Sequence, residues 1–424
     1  MSKKILSLAA ALLIATGCIF SNGLSLNSIG TRSLGMGGSF VGLANDYTAI
    51  YWNPAGIGQL KGNYIGLFST DVIPIGTLKI PVLGIDTKTK VNHYISPNLM
   101  GYLSFEPAKD FTFALGVYVP AGLGSEWNGK DLVKMSNGTP VEWMSKIAVV
   151  DISPAVAYKV SENLSVGAAF NIFYGMFDLK KPAAMKSPQN GQTYVFQFSE
   201  SSTGLGYGVT LGAHYKVNEM ISLGASFRTK TAVSMDGTAK NPGMAAVGMA
   251  SESKFSRDVA WPMWVSGGVA VRPVENWVIT ADAQYSQWSK SEDQFVANYD
   301  DAKWQAALSG AKQNVFTLGW KDATQIRFGT EYQINNSFTV RGGYYIDPAP
   351  APDETYNILF PSISYNAVSV GASYKVASLT FDLGYEYLIG KDRDINLQLG
   401  NGVALPATSG MNIQGISFGV GYGF

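Results

Sequence analysis

The chain has 424 residues, 31 basic against 31 acidic side chains, 15% charged and 12% aromatic residues, 47 glycines and one cysteine. Zero formal charge excludes a broadly charged surface of the kind that binds nucleic acid. No apolar run reaches the roughly 18 residues that a membrane-spanning helix needs, so any membrane reading rests on strands.

Lys3-Lys4, an apolar run from Ile5 to Phe20 and Ser21-Asn22-Gly23 form the basic, apolar and small-residue zones of an export signal. The expected signal peptide is 1–23. Cys18 follows Ala15-Thr16-Gly17 and also admits a lipoprotein reading, although the leucine usual at the first of those positions is missing. Removal of the segment leaves no cysteine, hence no disulfide or thiolate metal site. Neither a metal nor a cofactor is expected.

Residues 24–62 are too few for an independent domain. Gly35-Met-Gly-Gly-Ser-Phe-Val-Gly-Leu-Ala-Asn-Asp46 supplies tight-turn glycines, and Tyr47-Thr-Ala-Ile-Tyr-Trp-Asn-Pro-Ala-Gly56 a short apolar helix that Asp46 can cap and Pro54 ends. A periplasmic tail of this composition would leave Phe40, Tyr47, Ile50, Tyr51 and Trp52 in water. The segment is therefore expected to be a plug, or hatch, with Asn53, Pro54 and Ala55 at its gate.

From residue 63 onward the chain divides into alternating segments. Six short turns stand out at Glu106–Asp110, Lys159–Asn163, Lys216–Glu219, Arg272–Asn276, Gln333–Ser337 and Lys375–Ser378. Each joins two segments of about ten residues, the length of a tilted membrane strand. Long polar or Gly/Pro-rich stretches near 71–97, 119–147, 178–204, 234–259, 290–324, 347–365 and 390–412 separate these hairpins. Short and long connections alternate strictly. They predict an all-β, 14-stranded antiparallel transmembrane β-barrel over 63–424, with both termini on the periplasmic side.

Parity supports this. Leu164, Val166, Ala168, Phe170, Ile172 and Tyr174 share a face, as do Tyr207, Val209, Leu211, Ala213 and Tyr215, and Leu379, Phe381, Leu383, Tyr385 and Tyr387. Alternate residues of a strand face opposite sides of its sheet, so these face lipid. The other parity carries Arg228, Lys230, Asp282, Arg327, Glu331, Arg341, Asp382 and Glu386, charges that would cost about 2 to 4 kcal/mol if turned to mid-membrane lipid. In the last strand Ile416, Phe418, Val420, Tyr422 and Phe424 alternate with Gly415, Ser417, Gly419, Gly421 and Gly423. The closing phenylalanine resembles the C-terminal signature of bacterial outer-membrane barrels.

The Gly-Met-Gly-Gly, Ala-Asn-Asp and Trp-Asn-Pro-Ala-Gly elements of 35–56 resemble the N-terminal hatch of the outer-membrane long-chain fatty acid and aromatic hydrocarbon transporters, the FadL/TodX type. Gly116-Val-Tyr-Val-Pro-Ala-Gly122, Ile152-Ser-Pro-Ala-Val-Ala-Tyr158, Asp282-Ala-Gln-Tyr-Ser-Gln-Trp288 and Arg341-Gly-Gly-Tyr-Tyr-Ile-Asp347 resemble the family's pattern in the same order. The resemblance implies a monomer in the outer membrane, in contact with its lipid and lipopolysaccharide. It also implies uptake of hydrophobic molecules, binding inside the barrel, gating by the hatch and lateral release at a kinked third strand.

Several residues fit that expectation. Gly116 and Pro120 on the third strand and Pro154 on the fourth predict an open seam between those strands, because proline removes a ladder hydrogen bond. Tyr118, Phe173 and Trp264 are the candidate pocket walls, with Arg228, Lys230, Arg327 and Arg341 as carboxylate partners. Outside, Met244, Val247 and Met249 in the fourth long loop face Phe196 of the third as a candidate capture groove, methionine adapting to varied ligands; equally, the two loops can simply pack together.

Other classes fit less well. The two histidines, His93 and His214, have no local Ser/Asp setting, so an enzyme is not expected. A general diffusion porin would share the fold without a reason for an apolar plug. A shuttle or scaffold for secreted proteins would use the long loops to bind protein.

Overall fold

The computed structural model describes residues 23–104, 108–186, 190–291, 293–398 and 404–424. The export segment with Cys18, and part of the first short turn, lie outside the described residues. Fourteen antiparallel strands form the wall. They are β1 Tyr64–Ile80, β2 Tyr94–Ser104, β3 Phe111–Trp127, β4 Trp143–Lys159, β5 Leu164–Lys186 and β6 Thr193–Lys216. Next come β7, split into Ile221–Arg228 and Thr231–Lys240, β8, split into Glu252–Trp261 and Trp264–Val274, and β9 Trp277–Ser286. The last five are β10 Ala323–Gln333, β11 Phe338–Asp347, β12 Tyr365–Val376, β13 Leu379–Gly390 with Arg393–Gln398, and β14 Ala404–Gly423. Each pairs with its successor, and β1 closes on β14 from Tyr64↔Gly423 to Lys79↔Thr408, so the barrel has no free edge.

The pleat sorts the residues as the alternation predicts. In β14, Phe418 is 54% exposed and Ser417 fully buried. Leu67, Tyr207 and Leu383 face outward, while Phe68, Thr210 and Asp382 face in. At the short-turn end, Phe111, Tyr158, Tyr215, Trp277, Tyr332, Phe338, Tyr374 and Tyr422 are all exposed and form the girdle expected at a membrane interface.

The strands run further than a membrane requires. β1 continues to Ile80 and pairs beyond the bilayer with Ile85–Lys88, and β5 and β6 stay paired out to Lys186↔Thr193. Polar residues on both faces of these extensions resemble loop sequence, because above the bilayer neither face needs to be apolar. The tips pack into a dome over the external end, with Trp127, Trp288, Trp304, Trp320, Phe295 and Phe360 buried in one cluster. A helix, Ala302–Gly310, starts there because Asp301 accepts from the Lys303 and Trp304 amides.

The lumen is filled by the N-terminal segment. A short helix α1, Thr31–Gly35, leads through Gly37 and Gly38, both with φ near +65°, to α2, Ala49–Trp52, and a 3₁₀ turn at Pro54–Gln59. The left-handed turn requires glycine at these two positions. Ile29, Met36, Phe40, Val41, Ile50 and Trp52 form a second core against inward residues of the wall.

Candidate functional site

The interior segment is held to the wall by polar contacts along its whole length. Near the external end Leu26 N donates to Pro120 O and Gly122 N to Leu24 O, each at 3.0 Å, so residues 24–26 lie as a short extra strand against β3. Lower down, Val41 N donates to Asp282 Oδ2 at 2.7 Å, Gly37 N to Ser369 Oγ at 2.9 Å, and Arg327 Nη1 to Gly37 O at 2.9 Å. Asn53 Nδ2 donates to Val41 O at 3.1 Å and to Ala213 O at 3.0 Å, while its Oδ1 accepts from Ala55 N at 3.2 Å. Asn53 thus ties two parts of the segment to β6 and also caps the turn that begins at Pro54.

At the short-turn end Arg32 grips Glu331 through Nε and Nη2, both at 2.7 Å, and reaches Asp46 at 3.2 Å. Burial works against the Arg32 charge, yet Glu331 and Asp46 hold the guanidinium above the usual arginine range. Glu331 also accepts from Arg341 Nε at 2.6 Å, and Arg341 reaches Asp382 at 3.4 Å.

Between β2 and β3 the ladder stops early. Pairing runs from Ser104↔Thr112 only as far as Leu99↔Val117. Beyond it, Tyr94–Asn98 pair with β1 alone, and β3 takes a register shift between Tyr118 and Ala121 before resuming with β4. Pro120 lies in that shift. Asn98 Oδ1 accepts from Val119 N at 2.8 Å in place of a strand bond. Farther out the strands are bridged again, at Thr89↔Trp127 and by Lys90 N to Glu126 O. The result is a bounded window in the wall. The Tyr94 ring crosses it over Gly124, where any side chain would collide with the ring.

Behind the window lies a cavity of about 670 Å³. It takes in lumen-facing Thr70, Ser96, Leu388 and Met411, the segment residues Ser25, Leu26, Asn27 and Ser28, and outward-facing Ile95 and Val117. A single space therefore connects the plugged lumen with the lipid side. Its lining is mainly apolar, with Asp347, Glu386 and Tyr365 at the inner end.

The structure brings some expected residues together and separates others. Phe173, Trp264 and Arg228 line one small cleft, where the Arg228 guanidinium lies 4.7 Å from the Tyr51 ring and 5.3 Å from Trp264. Burial pushes the Tyr51 hydroxyl above its usual range, with Arg228 opposing. Arg228 Nε donates to Thr210, and its Nη2 has no partner among the described residues. Tyr118 is fully buried, edge-on to Tyr51 and bonded to Ser153. Residues 24–26 and 120–122 lie between this cleft and the large cavity.

Four expectations need correction. Lys230 is exposed and its Nζ donates to Lys290 O, because β7 breaks at residues 229–230 and the break reverses its parity. Arg327 and Arg341 point inward but bind protein groups: Gly37 and Gln325 for the first, Glu331, Ser373 and Asp382 for the second. The open seam is not between the third and fourth strands, where Gly116↔Ser153 and Leu115↔Pro154 sit in continuous pairing. Pro154 instead interrupts the ladder to β5, which skips from Ile152↔Ile172 to Ala155↔Ala169. Finally, Met244 does not line an open groove: it is buried, and Gly243 beside it sits so close to Phe196 and Met185 that no Cβ would fit, while Val247 and Met249 stay half-buried. Asp347 as a cavity acid and the β2/β3 gap escaped sequence reading, which placed Glu386 inside but not with Asp347; the one available signal for the gap was Pro97, a second proline beside Pro120.

A closed barrel of this kind, filled by its own N-terminal segment, is an outer-membrane architecture. Residues 12–424 match the family of outer membrane protein transport proteins (OMPP1/FadL/TodX), and the chain belongs to that family. The long-chain fatty acid transport protein of Escherichia coli K12 is 24% identical over 93% of this chain and 95% of its own. Outer membrane protein P1 of Haemophilus influenzae is 22% identical over 91% and 89%. Among solved structures, a Pseudomonas aeruginosa FadL homologue superposes with a TM-score of 0.81 at 16% identity, covering 95% of this chain and 100% of that one. The P. putida toluene transporter TodX gives 0.70 at 19% identity, over 94% and 99%. The chain is thus an outer-membrane transport protein.

Proposed function

We propose that residues 24–62 act as the hatch of this transporter and that its passengers exchange with the bilayer through the β2/β3 window. Once residues 1–23 are removed on export, Leu24–Leu26, bonded to β3, become the hatch's N-terminal end. Lipopolysaccharide and water-filled pores both exclude apolar molecules, so such a channel needs an apolar interior and a sideways exit. One observation carries the reading: the 670 Å³ cavity includes both lumen-facing and lipid-facing residues. Unpaired backbone at the level of the membrane is stable only where a cavity or protein lines it. The window satisfies that condition through Asn98, Tyr94 and residues 24–26.

The relatives named for fatty acid and toluene transport bracket the substrate range that this reading assigns to the chain. The filled lumen and the dome count against a general diffusion pore. Uptake of a radiolabelled lipophile by cells without their own hydrophobic transporter, with and without this protein at matched outer-membrane abundance, tests the reading. Stimulation supports it; no stimulation from a correctly folded barrel overturns it.

A further inference from the structure

We propose that the inner end of the lateral cavity is a site for a hydroxyl group, so that the chain carries uncharged, hydroxyl-bearing lipophiles such as long-chain alcohols or alkylphenols in preference to carboxylates. The inference rests on the uptake reading above and specifies its passenger.

The polar end of the cavity is built of acceptors. Ser28 Oγ donates to Glu386 Oε2 at 3.0 Å, and Tyr345 OH to the same oxygen at 3.1 Å. Asn27 Nδ2 donates to Asp347 Oδ2 at 2.7 Å, and Gln325 Nε2 to Asp347 Oδ1 at 2.6 Å. The local side-chain hydrogens are thus turned onto two carboxyl groups. Glu386 lines the cavity, and its Oε1 accepts none of the described bonds.

Among the described residues no guanidinium lines this end. Arg327 stands behind it, 4.7 Å from the Tyr345 ring, with its own hydrogens given to Gly37 O and Gln325 Oε1. Arg228 lines the separate small cleft. The basic side chains that do line the cavity, Lys146 and His93, are exposed ones at its outer mouth, with His93 Nδ1 2.6 Å from Asp71. A fatty carboxylate drawn inward would meet two acids in the lining there, with the Arg327 charge behind them already engaged by protein groups. A hydroxyl meets an acceptor in Glu386 and, in the Tyr365 phenol, a group that can donate to its oxygen. The apolar remainder of the passenger lies along Val72, Ile147, Leu388 and Ile413.

The test is uptake of radiolabelled 1-decanol, decanoate and decylamine at equal concentration and neutral pH, corrected for cells lacking the barrel, with toluene alongside. Wild-type protein should favour decanol over decanoate by about tenfold or more, the scale of one hydrogen bond to a charged group made or lost. Glu386→Gln keeps an acceptor for Ser28 and Tyr345 but removes the acid; in barrels that run with the electrophoretic mobility of the folded wild type when left unheated, it should raise decanoate uptake and narrow the ratio. Decanoate taken up as fast as decanol by the wild type, decylamine faster than decanol, or an unchanged ratio in folded Glu386→Gln would each overturn the assignment. Toluene entry with no preference for decanol sinks this inference alone; failure of every probe, toluene included, sinks the uptake reading with it.

Discussion

Arg32 and Glu331 form a two-point guanidinium–carboxylate pair that fastens the interior segment to the wall of β10, with both contacts at 2.7 Å. The pair is part-buried and is shared with Arg341 and Asp382, so it ties the segment to the wall at the short-turn end. Removing one partner of a buried pair costs about 3 to 5 kcal/mol where nothing compensates. Here Arg341 still neutralises Glu331, so Arg32→Ala should fall below that range. The expected result is a folded barrel whose lower segment is loosened, seen as increased conductance to small ions in planar bilayers.

Asn53 is the second tether. Asn53→Ala leaves the Val41 and Ala213 carbonyls without their donor and should weaken the segment's attachment by about 1 to 3 kcal/mol. Asn53→Asp should be worse, because a carboxylate would face two carbonyl oxygens with nothing to donate. Hydrogen exchange of residues 24–60 checks both, with faster exchange expected in the order Asp, Ala, wild type.

Arg228 holds Tyr51 against Trp264 by its planar face, at 4.7 and 5.3 Å. Lysine has no such plane, so Arg228→Lys should behave like Arg228→Met and not like wild type. Susceptibility of the segment to added protease measures this, with both variants cut sooner.

The window offers a contrast between two glycines. Gly116 faces inward, where a Cβ would stand 3.0 Å from the Tyr118 ring, so Gly116→Trp should disturb packing as well as transport. At Gly122 a Cβ would have only Ile147 O near it, at 3.6 Å, and the residue lines the cavity. Gly122→Trp should therefore fill the opening while leaving insertion and folded mobility unchanged, and Gly122→Ala should leave transport, insertion and folded mobility all unchanged.

The barrel was legible because the membrane imposes period two on every strand and the short turns break it in recognisable places. Parity placed Asp282, Arg327, Glu331, Arg341, Asp382 and Glu386 inside, as the structure shows. It failed at Lys230, since a two-residue break in β7 resets the alternation and leaves no compositional mark. The seam was misplaced for a related reason. A proline in a strand removes one donor, but sequence does not say which neighbour that donor would have faced; in β4 it is β5. The cavity's acid pair joins residues of β11 and β13 with Asn27 and Ser28 of the interior segment, a contact between parts of the chain more than 300 residues apart. No local pattern encodes such a meeting. Met244 was expected in an open groove opposite Phe196; it is buried instead, with Gly243 beside it pressed against the Phe196 ring.

The most direct measurement is uptake of radiolabelled toluene, an uncharged passenger indifferent to the cavity's acids, by cells carrying wild-type protein or Gly122→Trp at matched outer-membrane abundance. Lateral passage predicts strong stimulation by the wild type and its loss in the variant. Toluene entering equally well through a folded Gly122→Trp barrel, or not at all through the wild type, would contradict it.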